Sequence, residues 1–377
     1  MSADSYLQRR EDLSMTANTL AEITNLNFAY TIEQLSLTEL IKQLPEDRQR
    51  FYMFGTPIYN NLGDLAISEA QKRFFAENFP EITYIEITEP QTEQAIEELL
   101  PLLRSDDMIG YVGGGNIGNL DITHEIVRRK VFSTFVNNKT ISFPQSVYFE
   151  ETEEGQAELR KSQEAYNKNS NLTLVARDTQ TLSYFQNHFK ADAILTTDMV
   201  LLLQEKLSGT KRDGVLFIMR EDAEKVTSDK LIEQLTANLK SIGDKVEATD
   251  TVLSYKAYDV KSKNNPSLDI VRISERHWLL SLKLEQIKAK EVVVTDRLHG
   301  MIFSAITQTP CFVFDNNYGK ASAFYYDWLQ DLDYIQYTTE KDPKKIAAKV
   351  DDLKKYEHSD TLDFSHSFDT LIDLIKK

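Results

Sequence analysis

The chain has 377 residues, 41% hydrophobic and 27% charged, a globular composition long enough for two domains with separate cores. Its 59 acidic and 43 basic residues leave a formal charge of −16, which excludes a broad nucleic-acid or anionic-membrane footprint. An anionic ligand therefore needs a local gathering of cations. Cys311 is the single cysteine, so neither an intrachain disulfide nor a cysteine zinc site is available, and its apolar run 309–314 reads as a buried strand. Residues 1–23 carry no apolar signal core, and no apolar run approaches the roughly 18–20 residues of a bilayer span. A soluble, cytoplasmic protein is the expectation.

After a polar lead, residues 31–44 carry helical periodicity, with Leu37, Leu40, Ile41 and Leu44 at i, i+3, i+4 and i+7, and Ile32 and Leu35 extending the stripe. Strands and helices then alternate. Strands are predicted at 51–55, 83–87, 108–112, 139–143 and 172–176, and helices at 63–79, 92–103, 122–135, 151–168 and 179–189. Crossovers of this length imply a largely parallel sheet. The polar, glycine-bearing stretch 206–214 marks a linker. A second series follows, with strands at 215–219, 251–254, 291–294 and 310–314 and helices at 229–239, 274–288 and 298–307. Closing helices at 343–356 and 364–375 have the option of packing back over the first domain.

The predicted architecture is α/β, with two Rossmann-like domains of mainly parallel sheet facing a central cleft. Its divisions are an N-terminal extension with a helix (1–50), a first domain (51–205), a second domain (206–340) and C-terminal helices (341–377).

Chemistry is suggested most strongly by 291–301, where an apolar run leads directly into Asp296-Arg297-Leu298-His299-Gly300 and a helix. A strand feeding a helix start is where open α/β sheets bind ligands, and free N–H groups there favour anions. Arg297 adds a fork suited to phosphate or carboxylate, and His299 can move protons near neutral pH. A surface ion pair and a capped histidine are the bland alternative. Asn61, Gly63 and Asp64 open the first long helix, and they read either as capping or as a site for a sugar hydroxyl.

Gly113 to Gly118 satisfies G-x-G-x-x-G, but the next strand ends in Pro144-Gln145-Ser146 without the acidic residue that would hold a ribose. A glycine loop against substrate and a tight turn both remain open. Arg177 and Arg220 also end predicted strands, so each can converge with Arg297 or pair with its acidic neighbours. Lys320 follows another strand and could close a second wall of cations. His124 lies near the glycine loop with a contact to ligand in reach, while His188, His277, His358 and His366 read as surface or packing residues. No metal-ligand spacing, G-x-S-x-G elbow or Walker A loop is present.

Taken in order, Asn61-Leu62-Gly63-Asp64, Gly113-Gly114-Gly115-Asn116, Phe143-Pro144-Gln145-Ser146, Ala176-Arg177-Asp178, Asp296-Arg297-Leu298-His299-Gly300 and Asn317-Tyr318-Gly319-Lys320 resemble the polysaccharide pyruvyl transferases over residues 51–328. The resemblance implies a GT-B-like fold, phosphoenolpyruvate as donor, no cofactor or metal, and a pyruvate ketal on a polysaccharide sugar as product. It implies that Arg297, Leu298 and His299 form the donor element with Arg177, and that Asp64 lies near the acceptor.

By position and chemistry, Arg220 and Lys320 join the donor side, and Asn61, Gly63, Gly114, Gly115, Asn116 and Gln145 the acceptor side. His299 is the candidate general acid, Asp64 the candidate base, and Arg297 the stabiliser of developing charge. The partner implied is a sugar or lipid-linked oligosaccharide, with peripheral association with a membrane-bound assembly complex left open. A nucleotide-sugar glycosyltransferase of GT-B type and a non-catalytic assembly protein are the competing readings.

Overall fold

Short apolar runs covered by helices on both faces build the first lobe. The computed structural model describes residues 29–31, 36–204, 211–222, 224–253, 271, 273–356 and 363–377. The strands of the first lobe are β1 (Ala29–Thr31), β2 (Arg50–Thr56), β3 (Thr83–Thr88), β4 (Met108–Tyr111), β5 (Gly114–Gly118), β6 (Thr140–Tyr148), β7 (Leu172–Ala176) and β8 (Asp192–Leu195). They run in the order β1-β3-β2-β4-β6-β7-β8, with β5 on β6 and every pairing parallel. Its helices are α1 (Leu37–Ile41), α2 (Leu62–Asn78), α3 (Thr92–Leu99), α4 (Ile122–Thr134), α5 (Glu153–Tyr166) and α6 (Thr179–His188). β2 and β3 are buried along their whole length, so the apolar run Phe51–Phe54 of β2 does not alternate, and β3 carries the buried Glu86 among Tyr84, Ile85 and Ile87.

The second sheet contains β9 (Val215–Ile218), β10 (Val246–Thr249), β11 (Val292–Thr295), β12 (Cys311–Val313) and β13 (Ile335–Tyr337), ordered β10-β9-β11-β12-β13 and again all parallel. The chain adds α7 (Asp229–Ser241), α8 (Ile273–Lys288), α9 (Leu298–Ile306), α10 (Lys320–Phe324), α11 (Pro343–Leu353) and α12 (Asp369–Lys376). Period-two alternation splits this sheet between two cores. Val215, Phe217, Val292, Val294 and Phe312 pack with Leu235 and Leu239 of α7 and Ile346 and Val350 of α11. Leu216, Ile218, Val293, Cys311 and Val313 belong to the core continuous with the first lobe. Cys311 is buried there, and burial pushes its thiol up to about 12.

Several boundaries differ from the sequence reading. The helix expected over 31–44 is confined to α1, while Thr31 ends β1, an edge strand on β3; Ile32 and Leu35 lie outside the described residues. Edge strands β8 and β13 are additions. The expected glycine loop is largely strand β5. The strand expected at 251–254 lies earlier, as β10, and Ser254 is outside the described residues.

Residues 251–253 instead cross to the other lobe. Leu62 donates its N–H to Thr251 O (2.9 Å), and Leu253 donates to Asn60 O (2.8 Å). Of the two closing helices, α11 stays on α7, whereas α12 returns to the first lobe beside β8. Lys139 Nζ reaches Leu374 O (3.1 Å), and Phe368 packs on Phe74. Among the described residues no helix is long and apolar enough to cross a membrane.

A buried charge cluster fastens α8 to the first lobe. Arg276 is fully buried, with Nε on Glu69 of α2 (2.5 Å) and Nη2 on Glu86 of β3 (3.1 Å). Burial pushes the Glu69 carboxyl up, but Arg276 and His277 beside it hold it well below the usual carboxylate range. Substituting Arg276→Met strands two carboxylates without their cation. The expected loss of unfolding free energy is about 3–5 kcal/mol in urea titrations, and a loss under about 1 kcal/mol would show that the cluster does not fasten the helix.

Candidate active site

A cavity of ≈ 360 Å³ opens where the C-terminal ends of strands from both sheets face each other. The loop after β2 supplies Tyr59 and Asn61, the first turn of α2 supplies Asp64, β5 supplies Gly115 and Asn116, and the end of β7 supplies Arg177. From the second sheet come Arg220 after β9, Arg297, Leu298 and His299 after β11, and Lys320 after β12. Ten of the thirteen residues assigned to the site from the sequence thus share one cavity, and His124 lines it as well.

Gly63, Gly114 and Gln145 stand behind its wall. Gln145 is buried, donates Nε2 to Val112 O (2.7 Å) and accepts from the Asn116 N–H (3.4 Å), which ties the glycine strand to β6. Gly114 pairs with Gln145 at the start of that strand. Gly63 faces the opposing lobe, and a Cβ there would lie 2.1 Å from Nδ1 of His299. The close approach that this glycine permits is to an imidazole. Asn61 caps α2 by accepting from the Gly63 N–H (3.0 Å), so capping and cavity lining are both true of it. Beneath the wall, buried Arg128 donates to the side chain of Asn116 and to Glu125 (2.6 Å), fixing the carboxamide.

Each cation at the cavity has a carboxylate partner. Arg177, 2% exposed, places Nη1 on Asp198 (2.8 Å) and Nε on Ser146 Oγ (2.8 Å). His299 approaches the same Asp198 oxygen from the other lobe, Nε2 at 3.6 Å. Burial pushes the Asp198 carboxyl up, but the imidazole and guanidinium beside it hold it well below the usual range. Arg297 forks onto Asp250 through Nε (2.8 Å) and Nη2 (2.7 Å) and reaches Asp222 through Nη1 (2.7 Å). Arg220 binds Asp222 (2.8 Å) and Glu224 (2.8 Å). Lys320 donates to Gly115 O (3.1 Å) and lies 3.7 Å from Glu224, and burial pushes its ammonium down. Convergence and local ion pairing are therefore both realised at Arg220. Arg177 passes over its neighbour Asp178, which caps α6, in favour of Asp198.

Asp198, Asp250 and Tyr59 carried no sequence signal, whereas Asp296 opens the run already singled out. Asp198 and Asp250 follow β8 and β10, whose ends the pattern did not locate. Tyr59 lies beside Asp64; burial, and then that carboxylate, push its hydroxyl well up. Asp296 is buried between Arg220 and Arg297, accepts the Arg220 N–H (2.9 Å) and leaves Oδ2 without a partner among the described residues. Burial raises its carboxyl to about 6. The arrangement can hold a small ligand with more than one anionic end, and it has a histidine and two acids available for proton transfer.

His124 lies between Glu89 (Nδ1, 2.8 Å) and Asp121 (Nε2, 3.1 Å), its ring 5.6 Å from that of Tyr59. Burial pushes it down, but the two carboxylates dominate and raise it from 6.5 to about 9. Its contribution to stability is fully present below pH 6.5 and is lost as pH rises through about 9. Histidine-resolved NMR should show a midpoint near 9, and unfolding free energy should decline across that window in the parent chain but not in His124→Gln; a midpoint below 7 would rule out the clamp.

Comparison with known proteins places this geometry. A profile described as polysaccharide pyruvyl transferase matches residues 61–318. The chain is 42% identical over 355 residues to General stress protein 30 of Bacillus subtilis (strain 168), covering 91% of this chain and 98% of that one. It is 27% identical over 312 residues to Pyruvyl transferase 1 of Schizosaccharomyces pombe (strain 972 / ATCC 24843), covering 79% and 75% respectively. In fold it is similar to the crystal structure of protein KP1_0663 from Klebsiella pneumoniae subsp. pneumoniae NTUH-K2044, with TM-score 0.51 and 19% identity over 80% of this chain and 97% of that chain. With its matched segment enclosing the loop after β2, the glycine strand and the Arg297–His299 corner, the chain belongs to the polysaccharide pyruvyl transferase family and is a transferase.

Proposed function

We propose that the protein moves the pyruvyl unit of phosphoenolpyruvate onto two hydroxyls of one sugar in a polysaccharide precursor, forming a ketal and releasing phosphate. The observation that carries this reading is the meeting of Arg177, Arg220, Arg297 and Lys320 with His299 in one cavity of an otherwise acidic chain. A donor bearing both a carboxylate and a phosphate suits several cationic forks. The donor is itself the activated reagent, so the reading needs no cofactor. An acceptor built on a lipid would bring the enzyme to the inner face of the membrane.

The reaction moves two protons. One acceptor hydroxyl attacks C2 of the donor as the methylene carbon becomes methyl, and a second hydroxyl then displaces phosphate. The two hydroxyl protons end, in sum, on the methyl carbon and the departing phosphate. His299, with Asp198 behind it, is the proton donor in this scheme, and Asp64 beside Tyr59 takes a proton from the acceptor. Arg297 and Arg177 hold the donor and balance charge on the leaving group.

Phosphate release from phosphoenolpyruvate should depend on a sugar acceptor, and NMR of the product should show a ketal methyl. His299→Ala should lower kcat by about 10²–10⁴-fold in a folded protein. Arg297→Ala should chiefly raise the donor KM. Gly63→Ala should push the imidazole aside and lower kcat by about 100-fold. Full transfer by both the His299 and the Arg297 variants would overturn the scheme, and a melting point raised by a uridine diphosphate sugar but not by phosphoenolpyruvate would favour nucleotide-sugar chemistry.

A further inference from the structure

The carboxylates around the donor-side cations differ in what they grip. Asp250 forks onto the Nε and Nη2 edge of Arg297 and leaves Nη1 directed elsewhere. It is followed by Thr251, whose carbonyl takes an N–H from the opposite lobe, so it is fixed where the lobes join. Asp222 is placed otherwise. Its side chain is 43% exposed, yet it accepts from Nε (2.8 Å) and Nη2 (3.3 Å) of Arg220 and from Nη1 (2.7 Å) of Arg297. One carboxylate is thus shared by two arginines from two different strands.

Two residues on, Glu224 accepts from Arg220 Nη1 (2.8 Å) and Asn316 Nδ2 (2.8 Å), with Lys320 Nζ at 3.7 Å. Both carboxylates line the cavity. Burial pushes them up, but Arg220 and Arg297 hold Asp222, and Lys320 and Arg220 hold Glu224, below the usual range, so both remain anions through neutral pH. A pair of anionic groups joined by one residue therefore occupies the cations that a carboxylate–phosphate ligand would use.

We propose that Asp222 and Glu224 form an internal mimic of the donor, which the donor must displace, and that this displacement selects ligands carrying two anionic ends. The inference rests on Arg220, Arg297 and Lys320 being the donor clamp. Apparent donor affinity is then the intrinsic affinity reduced by the fraction of sites in which the segment has moved aside. A ligand with one anionic group replaces one carboxylate and leaves the other to hold the segment in place. The segment acts as a selectivity filter by competition rather than by shape.

The test is calorimetric titration of the full-length chain with phosphoenolpyruvate, pyruvate and inorganic phosphate. It compares the parent with Asp222→Asn, Glu224→Gln, the double substitution and Asp250→Asn. Asp222→Asn and Glu224→Gln should each bind phosphoenolpyruvate about threefold to tenfold more tightly. In the double variant the preference for phosphoenolpyruvate over phosphate and pyruvate should shrink. Asp250→Asn, which frees the Arg297 fork without vacating the clamp, should weaken binding. Unchanged or weaker binding in both mimic variants would overturn the proposal, as would equal tightening in Asp250→Asn, which reduces the effect to net charge. If the parent and every variant ignore phosphoenolpyruvate, the donor reading falls, and this inference with it.

Discussion

A single buried carboxylate, Asp198, stands between a guanidinium of the first sheet and an imidazole that enters from the second. Low dielectric makes an unpaired charge at such a position too costly to keep, so Arg177 and Asp198 each require the other. His299 then completes the group across the lobe boundary. The position of the imidazole thus depends on how the two sheets meet, and the backbone crossing at Asn60 to Leu62 with Thr251 to Leu253 sets that meeting. The Arg276 cluster serves the same end on the far side of α2. Geometry in the cavity is inherited from contacts between lobes.

The overall charge explains why the site is built from paired rather than bare cations. Arginines gathered at strand ends would repel one another if left uncompensated, and in a chain of charge −16 compensating carboxylates are plentiful. Arg177, Arg220 and Arg297 are each oriented by acids before any ligand arrives. Pre-orientation lowers the entropy to be lost on binding, at the expense of competition for the same N–H groups. The buried Asp296, whose ionisation lies close to neutrality, adds a group that can take up a proton as anionic charge enters.

Much of this was legible in the sequence because parallel strands with covering helices leave strong marks. The runs around Phe51 to Phe54 and Val292 to Val294 located central strands, and the switch to Arg177 or Arg297 located the cavity ends of β7 and β11. What stayed hidden is equally physical. Edge strands β1, β8, β10 and β13 are short and carry weak apolar signals, so the acids that follow two of them, Asp198 after β8 and Asp250 after β10, were not found. In the sequence Gly63 reads as part of a cap or of a site for a sugar hydroxyl, yet in the fold it makes room for His299. A one-dimensional pattern records that a side chain must be absent and says nothing of which group fills the space. Asp222, seen beside Arg220, gave no sign of also reaching Arg297, because that contact exists only once β9 and β11 lie side by side.

The return of α12 to the first lobe has a consequence for biogenesis. Phe368 packs on Phe74, and Thr196 donates its hydroxyl to Ser367 O (2.5 Å), so the first sheet is finished by residues made after the whole of the second. During synthesis that lobe stands with an uncovered oily flank while the whole second half emerges. Assembly lobe after lobe therefore leaves that flank open until α12 has been made.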